Sequence, residues 1–99
     1  MVKRKVVWSK NSSLQLKESL IYLKEKSLKS ASKVKKEILQ TAKKLSLHPE
    51  IYSLDRFAED NDGSIRAFEK YSYRVTYQVE ETQVLILRVR HTSREPLEY

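Results

Sequence analysis

The chain has 99 residues, of which 39% are hydrophobic and 33% are charged. A chain of this size has material for one hydrophobic core, so we expect a single domain over residues 1–99. Lysine and arginine number 20 against 13 acidic residues, and the formal net charge of +7 favours polyanionic partners. The absence of cysteine excludes disulfide bonds, thiolate metal sites and cysteine nucleophiles.

The first residues are basic, but only a three-residue apolar run follows them, at positions 6–8. That run is too short for a signal peptide, and no later run approaches the roughly 20 apolar residues that span a bilayer. We therefore expect a cytoplasmic protein with no membrane partner. The sequence has no metal-ligand spacing and no glycine-rich phosphate loop, so we also expect no cofactor and no metal.

The β-branched and aromatic run at positions 6–8 predicts a first strand. A helix follows it, because Ser12 or Ser13 can cap the first turn and the pattern stays helical to about Lys26. The helical spacing is carried by three leucines: Leu16, Leu20 and Leu23.

A second helix is predicted by apolar residues at steps of three and four. It should end near Leu47, because Pro49 disfavours helical geometry at His48. We interpret His48 as a partner for the negative end of the helix dipole, and the lysine-rich outer face as solvated. The short link around positions 27–30 implies an antiparallel helical hairpin. The apolar positions are Ala31, Val34, Ile38, Ala42 and Leu45, and the lysines are Lys33, Lys36, Lys43 and Lys44.

Three strands are predicted after the turn signature at positions 61–64, namely 65–70, 73–80 and 83–91. The order β-α-α-β-β-β predicts an α+β domain, an antiparallel sheet with the helical hairpin packed on one face. We expect the other face of the sheet to be open.

Alternation along the last two strands divides their side chains between these faces. It sends Arg74, Arg88 and Arg90 to the open face, where their guanidinium groups suit a phosphate or an acidic protein. The alternative is that they are solvated arginines paired with Glu69 or Glu80. The residues predicted to pack against the helices are Val75, Tyr77, Leu85 and Leu87.

His91 ends the last strand, and its imidazole can exchange protons near neutral pH. Alternation places it on the covered side, where a structural role is the alternative. Tyr99 is the last residue of the sequence, and its phenol is placed to reach the arginines.

The stretch from Arg66 to Tyr77, followed by residues 85–91 and then by Arg94, resembles the C-terminal half of RelE/ParE toxins. The helical hairpin fits as well, so the resemblance covers nearly the whole chain. It implies the toxin of a bacterial type II toxin–antitoxin system, which inhibits growth until its cognate antitoxin binds it. Some members of the family cut messenger RNA on the ribosome, and others poison DNA gyrase.

In the ribonuclease branch, the resemblance implies that Arg74 holds the scissile phosphate. Arg90, His91 or Arg94 then stabilises charge or donates a proton. Tyr99 lies near the place where some of these nucleases have a terminal tyrosine. Four residues are therefore candidate catalytic groups: Arg74, Arg90, His91 and Tyr99.

Three functions remain open from the sequence. The first is a ribosome-dependent mRNA endoribonuclease, whose partners are the ribosome and mRNA. The second is a non-enzymatic poison of DNA gyrase, in which the same basic residues contact the target. The third is an inactive or regulatory RNA-binding domain. Nucleic-acid or target contacts are assigned to Arg66, Arg88 and Arg94.

Overall fold

The structure, a computed structural model, describes residues 3–92. Its elements are β1 (Lys5–Trp8), α1 (Lys10–Lys26), α2 (Leu28–Lys44), β2 (Ile65–Lys70), β3 (Tyr73–Val79) and β4 (Gln83–His91). This order confirms the predicted α+β fold. Within residues 3–92, no helix combines the length and the apolar character needed to cross a bilayer.

The four strands form one sheet in the order β1-β4-β3-β2. Tight connections join β2, β3 and β4, and these strands pair antiparallel as predicted. The edge strand β1 is different, because it runs parallel to β4 and the helical hairpin separates it from the other strands. The sheet is therefore mixed, with an antiparallel body and one parallel edge.

The first helix begins earlier than the sequence indicated. Ser9 is its N-cap, and the Ser9 hydroxyl oxygen accepts a 3.0 Å hydrogen bond from the Ser12 amide. Ser12 is fully buried, and its own hydroxyl donates to the Ile86 carbonyl at 3.0 Å. The prediction that Ser12 or Ser13 caps the helix was therefore wrong, because Ser12 attaches α1 to β4 instead.

The link between the helices is the single residue Ser27. Its amide donates to the Leu23 carbonyl to end α1, and its hydroxyl oxygen accepts from the Ser30 amide to begin α2. The second helix ends at Lys44, three residues before the predicted Leu47, and a turn follows it.

The core lies between the helical hairpin and one face of the sheet. The periodicity of α2 is confirmed, since Ile38 and the C-capping Leu45 are both 0% exposed. In α1, Leu16 is buried, whereas Leu20 and Leu23 pack half-buried against the core. The sheet contributes seven buried residues to this core: Phe68, Tyr73, Val75, Tyr77, Val84, Ile86 and Val89.

A β-bulge in β4 changes the predicted alternation. Thr76 of β3 lies opposite Arg88, but its neighbour Tyr77 lies opposite Ile86, so Leu87 is an extra residue in β4. Because a bulge reverses the parity of the strand that carries it, the residues before and after it occupy different registers. The prediction that Leu85 and Leu87 pack against the helices was wrong, and Val84 and Ile86 are buried there instead.

Candidate functional site

Three arginines of the sheet lie on the face opposite the helices. Arg74 lies directly opposite Arg90 in the β3–β4 pair, and Arg88 lies opposite Thr76. Directly opposed residues of antiparallel strands share a face, and neighbouring residues of one strand do not. The three side chains are therefore on the side away from Val75, as alternation predicts. We call Arg74, Arg88 and Arg90 the arginine face.

The arginine face is not open at Arg74. This residue is only 8% exposed. Its guanidinium carbon lies 4.8 Å from the centroid of the Phe57 ring, and Nη2 lies 3.7 Å from a carboxylate oxygen of Glu69. The expectation of an uncovered face fails here because the segment between α2 and β2 folds over the sheet.

That segment is anchored by Asp55, which is 2% exposed. Its Oδ1 accepts a 2.9 Å hydrogen bond from the Phe57 amide, and its Oδ2 accepts a 3.0 Å hydrogen bond from the Thr76 hydroxyl. Thr76 lies opposite Arg88, so a buried carboxylate sits among the arginines and offsets part of their repulsion. Sequence reasoning missed Asp55; the only available signal was the tendency of aspartate to bond the amide two residues ahead.

Arg90 is placed differently from Arg74. It is half-buried, and within residues 3–92 its buried Nε has no hydrogen-bond partner. A buried donor without an acceptor costs about 1 to 3 kcal/mol. An acceptor on a bound partner would remove that cost, so Arg90 is a candidate residue of the arginine face for contact with a target.

A groove separates α1 from the end of β4, with a volume of about 520 Å³. The strand β1 pairs with β4 only as far as Ile86, and the Val89 amide donates at 2.8 Å to the side-chain carbonyl of Gln15 on α1. Beyond Ile86, where the pairing with β1 ends, the edge of β4 therefore hydrogen-bonds to a side chain of α1. The groove is bordered by Gln15, Glu18, Ser19 and Tyr22 of α1 and by Tyr73, Val89, Arg90 and His91.

His91 lies on the helix side of the sheet. It is directly opposite Tyr73, and the two rings meet edge to face with centroids 5.2 Å apart. The side chains of Arg74 and Arg90 point to the other face. The sheet thus separates the His91 imidazole from the Arg74 guanidinium, whereas Arg90 and His91 both border the groove at the edge of β4. Tyr99 lies outside the described residues.

Comparison with known proteins identifies the family. The sequence pattern of the ParE toxin of type II toxin–antitoxin systems (parDE) matches residues 6–96. The chain belongs to the ParE toxin family. A comparison with curated protein sequences gives no match.

Two solved structures share the fold of this ParE-family chain. A chain of the chromosomal ParDE toxin–antitoxin system from P. aeruginosa has a TM-score of 0.71 and 17% identity, over 92% of this chain and 98% of that one. A chain of the RelBE2 toxin–antitoxin complex from Mycobacterium tuberculosis has a TM-score of 0.62 and 20% identity, over 92% and 93% of the two chains. At these identities the similarity establishes the fold.

The other arginines assigned to target binding in this ParE-family chain do not join the arginine face. Arg66 lies opposite Tyr77 on the helix side, and its Nη1 donates to the Tyr52 carbonyl at 2.6 Å. Arg66 therefore holds the segment that leaves α2, and Arg94 lies outside the described residues. Among residues 3–92, no three histidine, cysteine or acidic side chains are grouped to hold a metal ion.

Proposed function

We propose that this ParE-family toxin arrests growth as a non-enzymatic poison of DNA gyrase, and that a cognate antitoxin neutralises it. The observation that carries the proposal is the division of Arg74, the residue that the ribonuclease branch would use to hold the scissile phosphate, from His91 by the sheet. A general acid must reach its reacting atom at roughly 2.6 to 3.2 Å, or through one water. The His91 imidazole and the Arg74 guanidinium lie on opposite faces of the sheet and do not meet at one phosphate.

The cover over Arg74 supports the same proposal. A residue that holds a scissile phosphate has to present its guanidinium to RNA, and Arg74 is 8% exposed beneath Phe57. We assign Arg74 to positioning, since it lies directly opposite Arg90 and ties the covering segment to the sheet. Contact with the target is then made by Arg88 and Arg90, through charge-assisted bonds to acidic or phosphate groups.

Charge and exposed apolar surface support an antitoxin as partner. The net charge of +7 favours an acidic protein. Along α1, beside the groove, the side chains of Leu14 and Ile21 are each 51% exposed and that of Tyr22 is 56% exposed. Apolar side chains of this size that remain exposed next to a groove are typical of a protein interface. We infer that the antitoxin covers α1 and the groove.

The test is induced expression without antitoxin, with two readouts taken early. We expect gyrase-dependent breaks in DNA while messages stay intact. The His91→Gln variant should arrest growth as the parent does, and Arg90→Ala should lose most of the arrest. Lys17→Ala removes the same charge from the exposed face of α1 and should leave the arrest unchanged.

Early cuts in messages with intact DNA would overturn the proposal in favour of the ribonuclease. Loss of growth arrest by His91→Gln at parental expression and stability would do the same, because a packing residue replaced by an amide has no reason to stop target binding.

A further inference from the structure

A second basic surface lies at the end of the molecule where β1 begins and α2 ends. It is a groove of about 380 Å³ between the first residues of β1 and the turn after α2. We call it the basic groove. Its basic side chains are Lys3, Arg4, Lys5, Lys43, Lys44 and His48.

Hydrogen bonds between Arg4 and Ser46 join the two walls of the basic groove. The Arg4 amide donates to the Ser46 carbonyl at 2.9 Å, and the Ser46 hydroxyl donates to the Arg4 carbonyl at 2.6 Å. Ser46 is buried, and Nε of Arg4 donates to the Glu80 carbonyl at 3.0 Å. The cationic side chains of both walls are thus held beside one another although they repel.

Little in the part of the chain that the structure describes neutralises this charge. Within residues 3–92, none of the lysine or arginine side chains of the basic groove has a carboxylate within ion-pair distance. The carbonyl end of α2 points here, but a helix dipole supplies only about half a negative charge. The positive charges of Lys43 and Lys44 exceed this partial negative charge, so the positive charge of the residues at the start of β1 is not neutralised.

The charge continues along α2. Lys29, Lys36 and Lys43 recur every seven residues, share one side of the helix and are all exposed. The helix rises about 1.5 Å per residue, so the 14 residue steps from Lys29 to Lys43 make a track of roughly 21 Å. The apolar side of α2 is buried against the sheet, so this helix has no side to insert into lipid, which membrane-binding helices need.

We propose that the basic groove and the lysine track of α2 bind the phosphate backbone of duplex nucleic acid. Ammonium groups at these positions contact phosphates as point charges and read no bases, so the binding is independent of sequence. It goes beyond the proposed poisoning of gyrase, because it uses the helical side and the β1 edge rather than the arginine face. Its effect is to hold the toxin on nucleic acid while the arginine face engages a target.

The test compares two triple variants that each remove three positive charges. Lys5→Gln, Lys43→Gln and Lys44→Gln together neutralise lysines of the basic groove. Lys10→Gln, Lys17→Gln and Lys24→Gln together remove three exposed lysines from α1 and serve as the control. Fluorescence anisotropy with labelled duplex DNA and duplex RNA, at several salt concentrations, gives the affinity and its salt slope, and thermal melts establish that both variants fold.

We expect the affinity of the groove variant to fall about tenfold or more, with a salt slope lower by about one for each phosphate that is no longer neutralised. The affinity of the control should fall about twofold or less, through long-range charge alone. The DNA and RNA probes identify the preferred backbone. Equal effects in both variants would overturn the proposal, and so would binding to phosphatidylserine vesicles without binding to either duplex. Purified gyrase assays stay independent of this outcome, so failure here is distinguishable from failure of the proposed function.

Discussion

The guanidinium carbon of Arg74 lies 4.8 Å from the centroid of the Phe57 ring, on the face of the sheet away from the helices. This contact joins the segment between α2 and β2 to the middle strand of the antiparallel sheet. Arg74 therefore contributes to the fold, whereas Arg90, directly opposite it, retains a buried Nε without a partner in residues 3–92.

Substitution of Arg74 and of Arg90 should change the free energy of unfolding by different amounts. Arg74→Ala removes a nearly buried cation from the Phe57 ring and from Glu69, and we expect a loss of about 1 to 3 kcal/mol. Arg90→Ala should change the free energy of unfolding by about 0.5 kcal/mol or less, since it also removes an unsatisfied donor. Urea denaturation at neutral pH measures both. Equal effects of the two substitutions would show that the cover over Arg74 contributes nothing.

Ile38 tests the helical side of the core. It is 0% exposed, so Ile38→Ala should cost about 2 to 5 kcal/mol through reduced burial and the cavity left behind. Leu39, the next residue of α2, is 39% exposed, and Leu39→Ala should cost less than about 1 kcal/mol. Denaturant melts compare the two variants. A loss under about 0.5 kcal/mol for Ile38→Ala would show that the face of α2 assigned to the core is wrong.

Backbone conformation at two turns predicts changes in melting temperature that are opposite in sign. Ser72 has a φ of +67°, which costs a residue with a Cβ about 1 to 2 kcal/mol, so Ser72→Gly should raise the melting temperature. Gly63 has a φ of +97° with open space around a Cβ, so Gly63→Ala should lower it by strain alone. A lower melting temperature for Ser72→Gly would contradict this account of the β2–β3 turn.

Alkaline pH should unfold the protein partly through Tyr77. This residue is 0% exposed and donates to the Pro49 carbonyl at 2.8 Å. Burial raises the pKa of Tyr77 from its ordinary value of 10.0 to about 12. A raised pKa means that the neutral phenol stabilises the fold below pH 10, and that this stability is lost as pH rises from 10 towards 12.

The control for this pH dependence is Tyr77→Phe, which has no phenol to ionise. It should be less stable at neutral pH by about 0.5 to 1.5 kcal/mol because the hydrogen bond to Pro49 is absent, and it should be less sensitive to alkali. Melts across the alkaline range compare the two proteins. The same alkaline slope in both would assign the pH dependence to other groups.

Much of the fold was predictable because periodicity reports burial directly. Val34, Ile38 and Leu45 follow one side of a helix, and all three are buried. Local alternation likewise placed Arg74 and Arg90 on one face of the sheet. These features depend on neighbours in the sequence, which is the information that a pattern contains.

The parts that sequence patterns missed depend on contacts between distant residues. Nothing near Leu87 marks the bulge that places Ile86 rather than Leu85 in the core. The cover over Arg74 needs Asp55 to reach Thr76, which is 21 residues away. Asp55 is a single carboxylate in an irregular segment, and no periodic pattern marks it. The sequence therefore predicted an open arginine face, whereas the structure has a partly covered one.

The most direct measurement of the proposed function is a cleavage assay with purified DNA gyrase, supercoiled plasmid and this toxin. We predict that linear plasmid accumulates only when gyrase and toxin are both present, that His91→Gln acts as the parent does, and that Arg90→Ala acts weakly. Intact plasmid in this assay, together with cleavage of messages on translating ribosomes by the parent but not by His91→Gln, would contradict the account.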